Sequence, residues 1–171
     1  MKVIVALPFI AIAILAGCKS QISDASTANS DLVYFNSFES QADTAGWFGY
    51  GQLALHQGAP PDGGLQSAYI SGGCIVPHAR IRLTTLPPAG TITLKCWGMN
   101  LALGGAIQLS KVNDPQSGLL IAINDTAWTA YQADGSMTYS SLDTLELEMM
   151  SGGIVSSAML VDRIEIRRVD N

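Results

Sequence analysis

The residues that could do acid–base or metal chemistry are few and widely spaced in this chain. His56 and His78 have no second histidine or cysteine at a spacing that would ligate a transition metal. Glu146 and Glu148 alternate on one predicted strand and so share a face, as the paired carboxylates of a glycosidase would. Without a third acidic residue in register, alternating glutamates are typical of a solvated strand face. The sequence also lacks a Gly-x-Ser-x-Gly elbow and a phosphate-binding glycine loop, so we expect no enzyme.

The amino-terminal residues predict processing and lipidation. Lys2 precedes an apolar stretch that is shorter than the roughly 20 residues of a membrane-spanning helix and has the length of a secretory signal. The stretch ends in Leu15-Ala16-Gly17-Cys18, which resembles the bacterial lipobox, in which small residues precede a cysteine that is acylated and becomes the new amino terminus. The resemblance implies a lipoprotein signal peptide over residues 1–17 and a palmitate-type lipid anchor on Cys18. An uncleaved anchor helix or a buried amino-terminal helix is the alternative.

The residues after the cysteine bear on where the protein is held. In lipoproteins of the Gram-negative type an aspartate directly after the cysteine favours the inner membrane, and here that position is Lys19. The resemblance therefore implies a lipid-anchored protein of the outer membrane, on its periplasmic or its surface face. Residues 18–31 are rich in Ser, Thr, Asn and Asp and predict a flexible tether. Residues 32–171 have the length of one domain.

This domain alternates short apolar runs with clusters of Gly, Pro, Asn and Asp. The candidate strands are Leu32–Phe38, Trp47–His56, Gln66–Ser71, Ala79–Leu86, Thr91–Met99, Ala106–Val112, Leu119–Ile123, Trp128–Gln132, Leu142–Met150 and Ser157–Val169. Period-two alternation between regular turn signals predicts an all-β, two-sheet antiparallel sandwich. An apolar fraction of 48% allows a buried core, and a net charge of -5 argues against nucleic-acid binding, since no basic surface is left for phosphates.

The last predicted strand has a charged residue at an apolar position. Asp162 has the same parity as its apolar even-numbered neighbours, which are Ala158, Leu160, Ile164 and Ile166. A buried carboxylate is costly unless it is paired or bound to a cation. The sequence leaves open a bound cation, a β-bulge, or an ion pair with an arginine such as Arg80 or Arg82.

Several short motifs occur in a fixed order along the domain. They are Asn36-Ser37-Phe38-Glu39, Gly46-Trp47, Gly64–Ser71, Gly90–Trp97 and Met159–Ile166. Their order and spacing resemble the galactose-binding-domain-like jelly roll, and within it carbohydrate-binding modules. The resemblance covers nearly all of the domain and implies a jelly-roll sandwich with a non-catalytic, glycan-binding function. It also implies a structural Ca²⁺ held by Glu39, Asp162 and backbone carbonyls, which are the oxygen ligands that Ca²⁺ takes.

Aromatic side chains on an outer face are the expected sugar contacts, because pyranose rings stack on aromatic faces. Trp97 is the preferred candidate, because its parity is opposite to that of the apolar residues of its strand. Trp97 shares its predicted outer face with Lys95 and two threonines. Covering the second sheet is the alternative role for Trp97. Further candidates for the ligand groove are Trp128, Tyr50 and Tyr131.

Two features leave alternatives open. Cys74 and Cys96 form an even pair in an oxidising compartment, and they would be either a disulfide or two buried thiols. The low content of charged residues, 13%, favours a second function, in which the sandwich is a structural or interaction subunit of an envelope or membrane-associated assembly and protein partners cover its apolar surface. A degenerate glycosidase or lyase is a third, minor hypothesis.

Overall fold

A computed structural model describes residues 32–51, 53–73, 76–87, 89–133, 135–153 and 156–169. The predicted signal peptide, Cys18 and the tether lie outside these residues, as does Cys74. Within the described ranges no helix has the length and hydropathy needed to cross a bilayer.

The described residues form eleven β-strands and one short 3₁₀ helix, Gln41–Thr44. The strands are β1 (Leu32–Asn36), β2 (Ala54–Gln57), β3 (Gln66–Ser71), β4 (His78–Leu83), β5 (Ala89–Ala102), β6 (Gly105–Lys111), β7 (Asp114–Ile123), β8 (Thr129–Gln132), β9 (Met137–Ser140), β10 (Leu145–Ser151) and β11 (Ala158–Val169). The larger sheet has the order β2-β3-β11-β5-β8, with β1 also paired to β11 and β9 to β5. The smaller sheet has the order β4-β10-β6-β7. All strand pairs are antiparallel, which confirms the predicted two-sheet sandwich.

The core lies between the two sheets and is built from alternate residues of each strand. In β5, Ile92 and Leu94 are fully buried, and in β10 Leu147 and Met149 are fully buried. Each such side chain contributes about 1.5–3 kcal/mol through removal of its apolar surface from water. The residues between them in β5 and β10 face outward, so the alternation seen in the sequence matches the two faces of each sheet.

Two elements differ from the predicted strands. Met137–Ser140 forms β9, which pairs with the first residues of β5 and was not predicted from the sequence. The predicted strand Trp47–His56 is a single bridge from Phe48 to β4, followed by β2 in the other sheet. Gly49 explains the break: it has φ +133°, and a side chain there would overlap the backbone of β4.

A β-bulge in β11 changes the face on which Asp162 lies. Asp162 is opposite Trp97 in β5, but Glu165 is opposite Lys95, so β11 has one extra residue in this interval. Directly opposed residues share a face, which places Asp162 on the outer face with Trp97. Beyond the bulge, Ile164 and its alternate residues belong to the core. The prediction that Asp162 shares their face is therefore wrong, because one extra residue reverses the alternation.

Candidate functional site

The Asp162 carboxylate lies at the point along β11 where the strand paired to one of its edges changes from β3 to β1. β3 pairs with β11 as far as Val161, and β1 pairs with it from Ile164 onward. The chain that leaves β1 and the chain that enters β3 both meet β11 at this gap. They bring Glu39, which follows β1, and Gly63-Gly64, which precede β3, close to Asp162.

The motif that begins at Asn36 forms the turn that positions Glu39. The Asn36 side-chain oxygen accepts a hydrogen bond from the Phe38 amide at 2.9 Å, and its Nδ2 donates to the Asp43 carbonyl at 2.8 Å. Phe38 has φ 52°, which is strained for a bulky residue, and its ring is fully buried in the core. With the turn held in this way, Oε2 of Glu39 accepts a hydrogen bond from the Leu65 amide at 2.8 Å.

Each of these two carboxylates has one oxygen without a partner among the described residues. Asp162 is fully buried; its Oδ1 accepts a hydrogen bond from the Arg163 amide at 2.7 Å, and its Oδ2 has no partner. Oε1 of Glu39 is buried and has no partner either. Burial, with a contribution from the Glu39 charge, raises the pKa of Asp162 to about 7. Two orphaned carboxylate oxygens in one buried place need a cation or a proton.

Gly63 and Gly64 pack closely against the two carboxylates. A Cβ on Gly63 would lie 2.6 Å from Oδ2 of Asp162, and a Cβ on Gly64 would overlap the carboxylate of Glu39. Neither position can therefore carry a side chain without displacing a carboxylate, and the glycines let the main chain of this loop approach both groups.

The donor set at this place fits a hard cation. Among the described residues there is no group of three or more His, Cys, Asp and Glu side chains that could hold a metal. Any ion bound by Glu39 and Asp162 therefore also needs backbone carbonyls or water, and that all-oxygen set is the one Ca²⁺ takes, whereas zinc and copper need nitrogen or sulfur ligands.

The arginines suggested as partners of Asp162 lie elsewhere. Arg80 and Arg82 are in β4, on the outer face of the smaller sheet. The Nε of Arg80 lies 2.8 Å from Oε1 of Glu148, and the Nε of Arg82 lies 3.2 Å from Oε2 of Glu146. The arginine explanation for Asp162 is therefore wrong, and the two glutamates are ion-paired rather than simply solvated.

A cleft of about 330 Å³ lies on the outer face of the larger sheet. Four of its lining residues form one row across β1, β11, β5 and β8, and they are Phe35, Glu165, Lys95 and Gln132. Directly opposed residues of antiparallel strands lie about 4.5–5.5 Å apart. Trp97 and Arg163 also line the cleft, beside this row. The cleft, named here the Trp97 cleft, thus combines three aromatic rings, those of Phe35, Trp97 and Tyr131, with an amide and charges of both signs.

The four predicted aromatic contacts lie at different places. Trp97 and Tyr131 line the Trp97 cleft, although the Tyr131 hydroxyl is already engaged, donating to Asp125 at 2.6 Å. Trp128 is half-buried just before β8 and is not one of the lining residues described. Tyr50 is 81% exposed beside the ring of His78, on the smaller sheet. The predicted contacts are therefore not one cluster.

Sequence reasoning missed several lining residues of the Trp97 cleft. Lys95 is the exception, because the alternation of β5 predicts that it shares a face with Trp97. Phe35 and Glu165 join that face only through the register of β1 and β11. The β-bulge that the sequence left open as an explanation of Asp162 is confirmed, and it positions Arg163, with φ 47°, which the sequence did not single out.

The structure bears on one of the two cysteines. Cys96 is 3% exposed and forms no disulfide with a described residue, and burial raises the pKa of its thiol to about 12. This burial agrees with the alternative to a disulfide, in which Cys74 and Cys96 would be two buried thiols. Because Cys74 lies outside the described residues, the disulfide stays a prediction.

Comparisons with known proteins give similar folds at low identity. No protein-family model and no curated protein matches the sequence. The CBM22-1 xylan-binding domain of Paenibacillus barcinonensis Xyn10C is 19% identical, with 82% of this chain and 96% of that chain covered and a TM-score of 0.62. The family 16 carbohydrate-binding module-2 is 19% identical, with coverages of 74% and 92% and a TM-score of 0.57. TmCBM61, solved with β-1,4-galactotriose, is 12% identical, with coverages of 73% and 90% and a TM-score of 0.51.

The chain has a sandwich fold similar to that of carbohydrate-binding modules. The jelly-roll architecture implied by the sequence motifs is thereby confirmed. Because a fold hosts many functions, binding itself must be argued from the side chains of the site.

Proposed function

We propose that this protein is a non-catalytic carbohydrate-binding module that binds glycan in the Trp97 cleft. The proposal rests on one observation, which is that aromatic and polar side chains line the same cleft on one sheet face. They are the rings of Trp97 and Phe35 and the polar ends of Lys95, Gln132 and Glu165. Sugars offer apolar C–H faces that stack on aromatic rings and hydroxyls that bond to amides and charged groups. The cleft volume lies at the lower end of the range of small-molecule sites, which suits one or two sugar rings.

The same cleft supports binding without cleavage. Hydrolysis of a glycosidic bond ordinarily uses two carboxyl groups, one on each side of the bond. Among the described lining residues Glu165 is the single carboxylate, and Arg167 holds both of its oxygens, at 2.6 Å and 3.2 Å. An arginine in this position lowers the pKa of Glu165, so this group is poorly suited to donate a proton.

The proposal includes a structural Ca²⁺ between Glu39 and Asp162. The two partnerless oxygens and the two glycines that front them support it. The ion would neutralise the buried charges and join the end of β1 to the start of β3. Its contribution would be to stability, since no reacting group lies beside it.

The proposal also includes attachment to the outer membrane through a lipid on Cys18. The support is the Leu15–Cys18 sequence and the apolar stretch before it. A tethered module would hold a glycan at the bacterial envelope.

The test compares two aromatic variants of the full, lipidated chain in detergent, in buffer that contains calcium. Binding to a panel of plant and envelope polysaccharides is measured by affinity electrophoresis, and the best ligand is titrated by calorimetry. Trp97→Ala should weaken binding at least about tenfold, since stacking on an aromatic ring is worth about 1 kcal/mol or more and its apolar area adds to this. Tyr50→Ala, on the other sheet, should change it less than about twofold.

Two results would overturn the proposal. Loss of binding in Tyr50→Ala, with Trp97→Ala unaffected, would move the site to the smaller sheet. If the parent binds no polysaccharide and instead leaves the membrane in a stoichiometric complex with another protein, the function is that of a structural or interaction subunit.

A further inference from the structure

We infer that the Trp97 cleft selects an acidic sugar, a uronic acid whose carboxylate is held by Lys95 and Arg163, over the neutral sugar of the same shape. The inference rests on the proposed glycan-binding function and names its ligand class.

Cationic side chains outnumber anionic ones around the cleft. Lys95, Arg163 and Arg167 lie within electrostatic reach of Glu165, and all three act on that carboxylate. Glu165 is bonded through both oxygens to Arg167, so one cation is compensated. The charges of Lys95 and Arg163 remain, and both residues line the cleft. A local excess of two positive charges is unexpected in a chain with a net charge of -5.

The remaining carboxylates nearby do not face the cleft. Asp162 is fully buried against Gly63, and Glu39 is turned to the Leu65 amide and Gly64. Both belong to the proposed calcium site, where the ion would balance their charge. The Arg163 charge acts on Asp162 as well, so it is available to a ligand when the calcium ion balances that carboxylate, which is why the experiment below contains calcium. Asp125, the third carboxylate nearby, accepts a hydrogen bond from the Tyr131 hydroxyl and is not among the lining residues described.

The bulge in β11 sets Arg163 where a sugar on Trp97 could use it. Lys95 and Trp97 are two residues apart on one face of β5, a separation of about 7 Å. Arg163 lies in β11 between the residues opposite them, Asp162 and Glu165. A pyranose ring stacked on Trp97 would therefore direct a ring substituent toward both cations.

Arg163 is also held in place without losing its charge. Its guanidinium donates one hydrogen bond to the carbonyl of Asp62, a neutral acceptor. A guanidinium has five N–H donors, so four remain, and their planar arrangement matches a carboxylate. Preorganised in this way, the side chain loses little freedom when it binds a ligand.

The smaller sheet provides the contrast. On its outer face Arg80 and Arg82 are paired with Glu148 and Glu146, so its charges are balanced by groups of the protein itself. An excess of positive charge is thus a property of the Trp97 cleft and not of both sheet faces.

The experiment separates charge from shape. The full, lipidated chain in calcium-containing buffer is titrated with an oligogalacturonide and with the same oligosaccharide after methyl esterification, which removes the charge and retains the ring. We expect the acid to bind at least about tenfold more tightly. The attraction between two opposite charges near a protein surface is enough to produce a difference in affinity of that size at low salt. The preference should shrink as salt is added.

Variants tie the effect to the cleft. Lys95→Met, which keeps the apolar stem, should weaken binding of the acid about fivefold or more beyond any loss it causes for the ester, so that the preference for the acid falls by that factor. Arg163→Lys should retain part of the preference and Arg163→Gln should lose most of it. Arg82→Gln, on the smaller sheet, is the matched control and should change neither affinity.

Each outcome decides a different point. Equal binding of acid and ester would overturn the inference while leaving glycan binding intact. A preference for the acid that survives Lys95→Met and Arg163→Gln would also overturn it, since the charge would then be read elsewhere. Binding of neither oligosaccharide, with binding of a neutral glycan that Trp97→Ala abolishes, would refute the acidic ligand and support the proposed function.

Discussion

Replacing Asp162 with asparagine should stabilise the calcium-free protein and abolish its response to calcium. The structure raises the pKa of Asp162 from 3.8 to about 7, mainly by burial. At 1.36 kcal/mol per unit, the ionised carboxylate in the calcium-free protein costs up to about 4 kcal/mol above pH 7. Asparagine keeps the oxygen that accepts from the Arg163 amide and removes the charge, so Asp162→Asn should recover much of that amount.

The dependence on pH has opposite signs without and with calcium. Without calcium, folded Asp162 binds its proton more tightly than the unfolded chain does, so this residue adds stability as the pH falls from about 7 toward 4. Calcium requires the ionised carboxylate, so its affinity should fall about tenfold for each pH unit below 7. Calcium should therefore raise the melting temperature at about pH 8 and have little effect at about pH 5.5.

The assay is thermal unfolding of parent, Asp162→Asn and Asp143→Asn, each with chelator and with calcium. Asp143→Asn is the matched control, because the Ser140 amide and Lys111 stabilise the ionised form of that partly exposed carboxylate and lower its pKa. The control should be no more stable than the parent and should keep the parent's response to calcium. The reasoning fails if chelator leaves the parent's melting temperature unchanged at about pH 8, or if Asp162→Asn is less stable than the parent in chelator.

The remaining predictions concern the glycines, Cys96 and the anchor. Gly64→Ala should lower the unfolding free energy by about 1–3 kcal/mol and weaken calcium binding, because its Cβ would displace the Glu39 carboxylate, whereas Gly135→Ala, with no atom within 4 Å of its Cβ, should do neither in calorimetry. The Cys96 thiol should not react with a disulfide reagent in the folded protein and should react once the chain is unfolded, and prompt reaction at neutral pH would contradict its burial. Cys18→Ser should move the protein from the membrane fraction to the soluble fraction without changing glycan affinity, and an unchanged membrane fraction would argue against lipidation.

The strands could be predicted because each one has a buried and an exposed side. In β5 and β10 the apolar residues alternate without interruption, and their buried residues are those that the sequence indicates. β9 also alternates buried and exposed residues, but over four positions only, and it was not recognised from the sequence. Local sequence was therefore sufficient wherever a strand was long enough to show its period.

The site was harder to predict, because it depends on register between strands that are distant in sequence. Asp162 and Glu39 were identified through their motifs, and the structure brings both to the gap between β1 and β3. The reason offered for Asp162 from its parity was wrong, since a single extra residue in β11 reverses the alternation. Phe35 could not be predicted to lie near Trp97, because that contact requires three strands to be aligned in one register.

The β11 bulge connects the two candidate sites. The bulge places Asp162 opposite Trp97, so that the two residues are direct cross-strand neighbours. The next residue, Arg163, lines the Trp97 cleft. Arg163 also donates to the carbonyl of Asp62, next to Gly63, so the segment beside the proposed calcium site holds one of the two cations that line the Trp97 cleft. A strand without the bulge would bury Arg163 or expose Asp162, and both sites would be lost together. A local irregularity of one residue thus explains why a buried carboxylate and a cationic cleft occur side by side on this sheet.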